Sequence, residues 1–541
     1  MDILFVHVPK FNNYYPPLGR FININYLPMG IFAMADYCIR MGFTTEILHA
    51  GVEWIREKKC NIKDLLPDED INIFALDLHW HYQSHAVIET AREIKFSRPD
   101  SFVLLGGFTA SYFVMEIMQM FPFIDGIITG FGEFPVVELL KARKSGRDFS
   151  SVPNLVWRKD DGVVVNTSRY SSDQSIYDSL TFSNLSLLKN HQVYVKNFGF
   201  PFAYSLDYTE EENRRYLNMG TPFLPLDTGR GCLVACTYCG GNSRTLKKIA
   251  GAQILQFRSI DSVVSDIRQA MDYGYNTMSL CFDPFPSEFD YYKELFKRIR
   301  QENIDVNFYF ESWALPSKEF ISDFAHTFPS KESYIAISPD SGVEKIRAKN
   351  KGFFYTNNDM FEFLEYAQEK GVSVDVFFTV GLPFEKYEDI MITKQIQLEI
   401  IERFSNIRRL MAWSVQIEPG SLQFESPSQY GIITDRQNFM DFYHAHGGNH
   451  ADTYSGLGYK LKEYFCDERD DCTIHEFEKT LMQIKCEHFC FLNQDARFYV
   501  PPDKGRKECL RRRRMIAERV NEAIPRSEYP FGRLTEKAVK I

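Results

Sequence analysis

The hydrophobic pattern of this chain switches between two periods. Over residues 1–145, short apolar runs at 3–8, 44–48, 73–78, 102–105 and 126–129 read as buried strands. Between them, 30–41, 85–95, 111–120 and 134–142 place apolar positions every three to four residues, the period of an amphipathic helix. This alternation predicts an α/β unit with a parallel, doubly wound sheet, which binds ligands beyond the carboxyl ends of its strands. Residues 146–220 read as a connector: LVWRKDDGVVVNT is a hairpin signal with Asp161-Gly162 at its turn, and a polar, irregular stretch follows. The alternation returns over 221–425, with strands at 223–227, 278–282, 306–311, 334–338, 374–380 and 410–417. Helical periods at 262–272, 290–301, 359–369 and 389–401 separate most of these strands. Six strand–helix units predict a partial barrel with its active residues at the carboxyl ends of the strands. Residues 426–541 read as mainly helical, a region that caps the barrel mouth and shapes a substrate pocket.

The chain has 541 residues, 44% hydrophobic and 25% charged, the profile of a globular protein of more than one domain. A net charge of −10 argues against non-specific nucleic-acid binding, which needs clustered cations. The one basic run, Lys504, Arg506, Lys507 and Arg511 to Arg514, reads as a solvated helix face. MDILFVHVPK reads as a buried first strand rather than a signal peptide. No run approaches the roughly 18 apolar residues of a membrane helix. A cytoplasmic setting is therefore expected, in which the eleven Cys are thiols or metal ligands rather than disulfides.

DTGRGCLVACTYCGGN, residues 227–242, changes the picture most. Cys232, Cys236 and Cys239 lie on one short loop behind the first strand of the second alternating region. Thiolates suit iron–sulfur clusters or zinc. Three on one loop hold three corners of a cubane and leave the fourth iron open. A structural zinc site is closed by four ligands and would have to borrow a distant Cys or His. Cys466, Cys472, Cys486 and Cys490 have no spacing of that kind and read as structural or free cysteines, and Cys38, Cys60, Cys281 and Cys509 as packing residues.

The spacing of Cys232, Cys236 and Cys239, with Tyr238 at the aromatic position, resembles the CxxxCxφC motif of the radical S-adenosylmethionine (SAM) superfamily. Further segments resemble that family in order: LCFDPFP with Asp283, ISPDSGVEKIRAKNKG with Asp340, Ser341 and Gly342, GLPFE at 381–385, and EPGS at 418–421. The resemblance implies a 4Fe–4S cluster on the three cysteines and SAM contacts from Gly240, Gly241, Asp283, Asp340, Ser341 and Gly381. An electron donor such as flavodoxin or ferredoxin is expected with it.

The N-terminal region resembles the cobalamin-binding, Rossmann-like (flavodoxin-like) domain fused to some radical SAM barrels. The resemblance rests on 27–50, 103–113, 124–140 and the hairpin at 153–163, with Gly106-Gly107 and Gly130-Phe131-Gly132-Glu133 as its glycine turns. It implies cobalamin contacts from Gly106, Gly107, Gly130, Gly132 and Glu133, and from the rim segment His79, Trp80, His81 and Tyr82. Asp77-x-His79 begins like a cobalt-ligating DxHxxG motif, but the Gly is missing, so no His–cobalt bond is expected. A nucleotide or flavin domain is the alternative. The combination implies methylation of an unactivated carbon in a small molecule, lipid or peptide. Radical cyclisation or rearrangement, with cobalamin in electron transfer, is the rival reaction. A non-catalytic zinc- or cobalamin-binding protein is the rival from another class.

Overall fold

A computed structural model describes residues 1–11, 21–22, 27–57, 61–160, 162–197, 223–252, 255–280, 289–447, 457–462, 472–493 and 498–500. Asp283, Cys60, Cys281, Cys466, Cys509, Asp161 and the basic run from Lys504 to Arg514 lie outside the described residues, as does the side chain of Cys486.

The first sheet is built from β1 (Ile3–His7), β2 (Thr45–His49), β3 (Ile73–Asp77), β4 (Phe102–Gly106) and β5 (Gly126–Ile128). All five run parallel, in the order β2-β1-β3-β4-β5. That is the flavodoxin-like doubly wound order, with its switch point between β1 and β3. Every residue of β1 is buried, as a strand covered on both faces requires. The hairpin of β6 (Leu155–Lys159) and β7 (Gly162–Val165) pairs antiparallel onto β5, so the connector's hairpin extends this sheet. The helix expected over 111–120 is broken at Phe113 into Phe108–Tyr112 and Val114–Met120.

The second sheet contains six parallel strands in sequence order: β8 (Leu224–Pro225), β9 (Thr277–Leu280), β10 (Asn307–Ser312), β11 (Tyr334–Asp340), β12 (Ser373–Val380) and β13 (Ile407–Ser414). Helices Ile260–Asp272, Phe289–Gln301, Lys318–Thr327, Asn357–Glu369 and Tyr387–Arg403 link successive strands from the stretch before β9 to β13. This is the partial (β/α)6 barrel that the alternation predicts. β14 (Phe491–Asn493) and β15 (Phe498–Val500) continue the sheet beyond β13 in antiparallel fashion. The last region therefore mixes helices, including Phe439–Ala445 and Ile474–His488, with short strands. No helix among the described residues is long and apolar enough to cross a membrane. The expectation of thiols or ligands fails at Cys472, which is disulfide-bonded. This half-buried residue immediately precedes Thr473, the N-cap of Ile474–His488.

The helix Phe439–Ala445 closes back on the first domain. Phe439 and Phe442 pack edge-on or tilted against Phe113 and Phe121, and the Phe439 amide donates to Glu116 Oε2 at 2.7 Å. Beside them, His81 Nδ1 and His446 Nε2 share a buried hydrogen bond of 3.0 Å. Burial, with Lys10 and Arg436 nearby, pushes the His81 pKa down to about 3 and holds His446 well below its usual value.

Both imidazoles are therefore neutral in the folded protein, and protonation puts a charge in a buried site beside Lys10 and Arg436. A depressed histidine pKa contributes stability that is complete above the unfolded value near 6.5 and is lost as pH falls toward about 3. We expect the denaturation midpoint to drop steeply below about pH 6.5, and His446→Phe to flatten that slope. A second expected outcome concerns Gly107, whose φ is +98° and whose Cβ, if present, would lie 2.8 Å from the His79 amide nitrogen. Gly107→Ala should cost about 1–3 kcal/mol in urea unfolding.

Candidate functional site

The cysteine loop leaves the carboxyl end of β8 and is held from several sides. Asn242 caps the helix Ser243–Ala250 through its Oδ1, while its amide donates to the carbonyls of Cys239 at 2.7 Å and Gly420 at 2.9 Å. The Gly240 amide donates to Glu418 Oε2 at 2.8 Å, and a Cβ there would lie 2.6 Å from the Pro419 carbonyl oxygen. Only glycine permits that approach. The backbone amides of Val234 and Gly352 donate to the sulfurs of Cys232 and Cys236 at 3.4 and 3.3 Å.

All three cysteines are free. Burial pushes each thiol above its usual range, and for Cys239 the charges of Glu418, Cys236 and Cys232 push the same way. Among the described residues, no three His, Cys, Asp or Glu side chains are set closely enough to share one metal ion. A cubane asks for something different, one thiolate per iron, and soft donors on a glycine-flanked loop with amide–sulfur hydrogen bonds fit that request.

Behind the loop, Asp340 is the hub. Its backbone is left-handed at φ +60°, a conformation Asp tolerates, at the end of β11 where the register with β12 shifts. Its carboxylate accepts from Tyr238 Oη at 2.7 Å, Lys351 Nζ at 2.8 Å and Thr379 Oγ1 at 2.8 Å. Lys351 also donates to the Ser338 carbonyl, and the nearby Asp340 carboxylate keeps its ammonium charged despite burial. The hub ties the aromatic position of the cysteine motif to the ends of β11 and β12. Ser341 is fully buried and Gly381 turns at φ +86°, its amide held by Glu385 and its carbonyl by Tyr459. Asp340, at the end of β11, and Gly240, Gly241, Ser341 and Gly381, on loops, thus all lie at the carboxyl edge of the barrel.

In the first domain, the loops after β1, β3, β4 and β5 gather at the corresponding edge. His7 Nδ1 bonds the Asp77 carboxylate at 2.8 and 2.9 Å across the switch point, so Asp77 is engaged by His7. Gly107 lets its loop press on the segment after β3, where Thr109 donates to the His79 carbonyl. Of the rim segment, His79 and Trp80 expose their rings and meet edge to face at 4.8 Å. Loss of solvent around its ring lowers the His79 pKa, and the nearby Asp77 carboxylate opposes this. His81 turns inward to His446 instead. Gly130 lies against the barrel helix: a Cβ there would be 3.2 Å from the Ile249 carbonyl oxygen. Glu133 is buried and accepts from Tyr170 Oη at 2.9 Å and Arg230 Nη1 at 2.9 Å.

Residues 226–395 match the family model of the radical SAM superfamily. The chain carries a radical SAM domain. Over more of the chain, the fold is similar to that of two solved radical SAM enzymes with cobalamin bound. The structure of the radical SAM methyltransferase TsrM from Kitasatospora setae, with cobalamin and a 4Fe–4S cluster bound, superposes with a TM-score of 0.58 at 15% identity. It covers 89% of this chain and 85% of that one. The cobalamin-dependent SAM radical enzyme OxsB, with aqua-cobalamin and SAM bound, gives a TM-score of 0.53 at 13% identity over 79% of this chain and 56% of that one. An uncharacterized methyltransferase of Pyrococcus horikoshii is 22% identical over 379 residues, 70% of this chain and 72% of the relative. The anaerobic magnesium-protoporphyrin IX monomethyl ester cyclase of Rubrivivax gelatinosus is 26% identical over 225 residues, 38% of each chain.

Sequence reading does not single out three residues that hold the cysteine segment and the Asp340 hub. Glu418 lies in the EPGS segment and Lys351 in the stretch after Asp340, both noted only as resemblance. Arg230, two positions before Cys232, went unremarked. A polar side chain among the glycines of a ligand loop was the signal available. Asp340→Asn should leave the buried Lys351 charge without its counterion, for both side chains are about 5% exposed. We expect a loss of about 3 kcal/mol in the chemical unfolding of the full chain.

Proposed function

We propose that this radical SAM enzyme is a cobalamin-dependent C-methyltransferase acting on an unactivated carbon. The observation that carries the reading is the juxtaposition of two carboxyl edges. The free-cysteine segment and the helix Ser243–Ala250 that follows it meet the glycine turns of a flavodoxin-like domain, at Glu133 with Arg230 and at Gly130 against Ile249. The bound groups supply a 5′-deoxyadenosyl radical from SAM and a transferable methyl group from cobalamin.

The chain's own residues bind and orient. Cys232, Cys236 and Cys239 would ligate the cluster, and the amides of Val234 and Gly352 would stabilise charge on two of the sulfurs. The loops of Gly240, Gly241, Ser341 and Gly381, with Asp283 and the Asp340 hub, would present backbone and side-chain groups to SAM. Gly106, Gly107, Gly130 and Gly132 would shape the turns that receive the corrin, Gly107 by packing on His79 and Gly130 on Ile249, with His79, Trp80 and Tyr82 at its rim. Glu133 and His81 would act from behind, through Arg230 and His446. The substrate is a small molecule, lipid or peptide, and a flavodoxin or ferredoxin would deliver electrons.

Radical cyclisation is the second reading, favoured by the likeness to the Rubrivivax gelatinosus cyclase. The products separate the two. Methylation yields S-adenosylhomocysteine beside 5′-deoxyadenosine, and cyclisation yields 5′-deoxyadenosine alone. We expect Cys236→Ala to bind cobalamin while forming no 5′-deoxyadenosine under anaerobic reduction. SAM cleavage by that variant, measured by mass spectrometry, would reject the ligand assignment.

A further inference from the structure

The joint between the two domains contains one side chain held from every direction. The Arg230 guanidinium lies between two rings, 3.9 Å from the centroid of Phe131 and 4.0 Å from that of Tyr177. In the plane of the guanidinium, Nη1 donates to Glu133 Oε1 at 2.9 Å, Nε to Gln256 Oε1 at 3.2 Å, and Nη2 to Ser172 Oγ. The ion pair is buried, with 12% and 5% of the two side chains exposed. Planar stacking combined with directed donors is a task for arginine that lysine does not perform.

The partners come from separate parts of the chain. Phe131 and Glu133 belong to the glycine turn after β5, and Glu133 opens the helix Glu133–Lys144, where a carboxylate is favoured by the helix dipole. Tyr170, Ser172 and Tyr177 belong to the connector, and Tyr177 Oη donates to Asp227 Oδ1 at 2.6 Å at the start of the cysteine segment. Arg230 itself lies in the short strand Gly229–Gly231, which pairs with Leu255–Phe257 and runs directly into Cys232. A shift of the glycine turn therefore pulls on the backbone of the first cluster ligand through one rigid side chain.

We propose that Arg230 is a positioning residue that couples the two cofactor sites, so that order at the cluster loop is transmitted to the cobalamin turn and the reverse. The inference rests on the two-cofactor reading above. Ordering one loop pre-orders the other, which lowers the cost of the second binding event, and such coupling is reciprocal.

The test compares hydroxocobalamin affinity, by absorbance titration of the full chain under nitrogen, before and after cluster reconstitution. For the parent protein we expect the cluster to tighten cobalamin binding by about fivefold or more. In Arg230→Met the ratio should fall to near one at unchanged iron content. Arg230→Lys, which keeps the charge and loses the stacked plane, should restore little of it, and Glu133→Gln should give an intermediate ratio. An equal ratio in the parent and Arg230→Met overturns the proposal, as does a ratio of one in the parent. Should Arg230→Met fail to fold, Arg230→Lys and Glu133→Gln decide by the same ratio. A parent that takes up a cluster but no corrinoid refutes the two-cofactor reading instead. The clamp is then judged by a double-mutant cycle of Arg230→Met and Glu133→Gln in chemical unfolding, where simple additivity rejects it.

Discussion

Parallel strands impose the constraint on which this molecule depends. In each of its two large sheets the parallel strands end on one edge, so the loops able to carry chemistry are collected there by topology alone. The chain then sets one such edge against the other. Gly130 against Ile249 and the Glu133–Arg230 ion pair are among the contacts that hold this opposition, with Lys248 over the Tyr112 ring beside them.

The strands were legible because buried parallel strands are nearly continuous apolar runs, as in Ile3–His7 or Val374 to Val380. The break at Phe113 was not, since the pattern over 111–120 keeps a helical period while the backbone leaves the helix. The cysteine loop was legible because its ligands are local in sequence. Asp340 was legible as a special position but not as a hub. Its partners Tyr238 and Thr379 lie 102 and 39 positions away, and nothing periodic links them.

Distance along the chain also explains the rim segment. His79 to Tyr82 follow a strand end and read as one exposed unit. In the structure His81 is drawn inward by His446, 365 positions further on, while its neighbours stay open. Glu133 was read as facing a ligand from its glycine turn and is instead buried against Tyr170 and Arg230. In both cases a polar residue supports its loop from behind.

The helix Phe439–Ala445 has a bearing on how the protein is made. It covers Phe113 and Phe121 of the first domain, and its leading amide meets Glu116 across 323 positions of chain. During synthesis the first domain emerges with those rings bare and remains so until most of the polypeptide has followed. The nascent chain thus carries a sticky apolar face through most of its translation, a natural surface for a holding chaperone and the place where premature release would lead to aggregation.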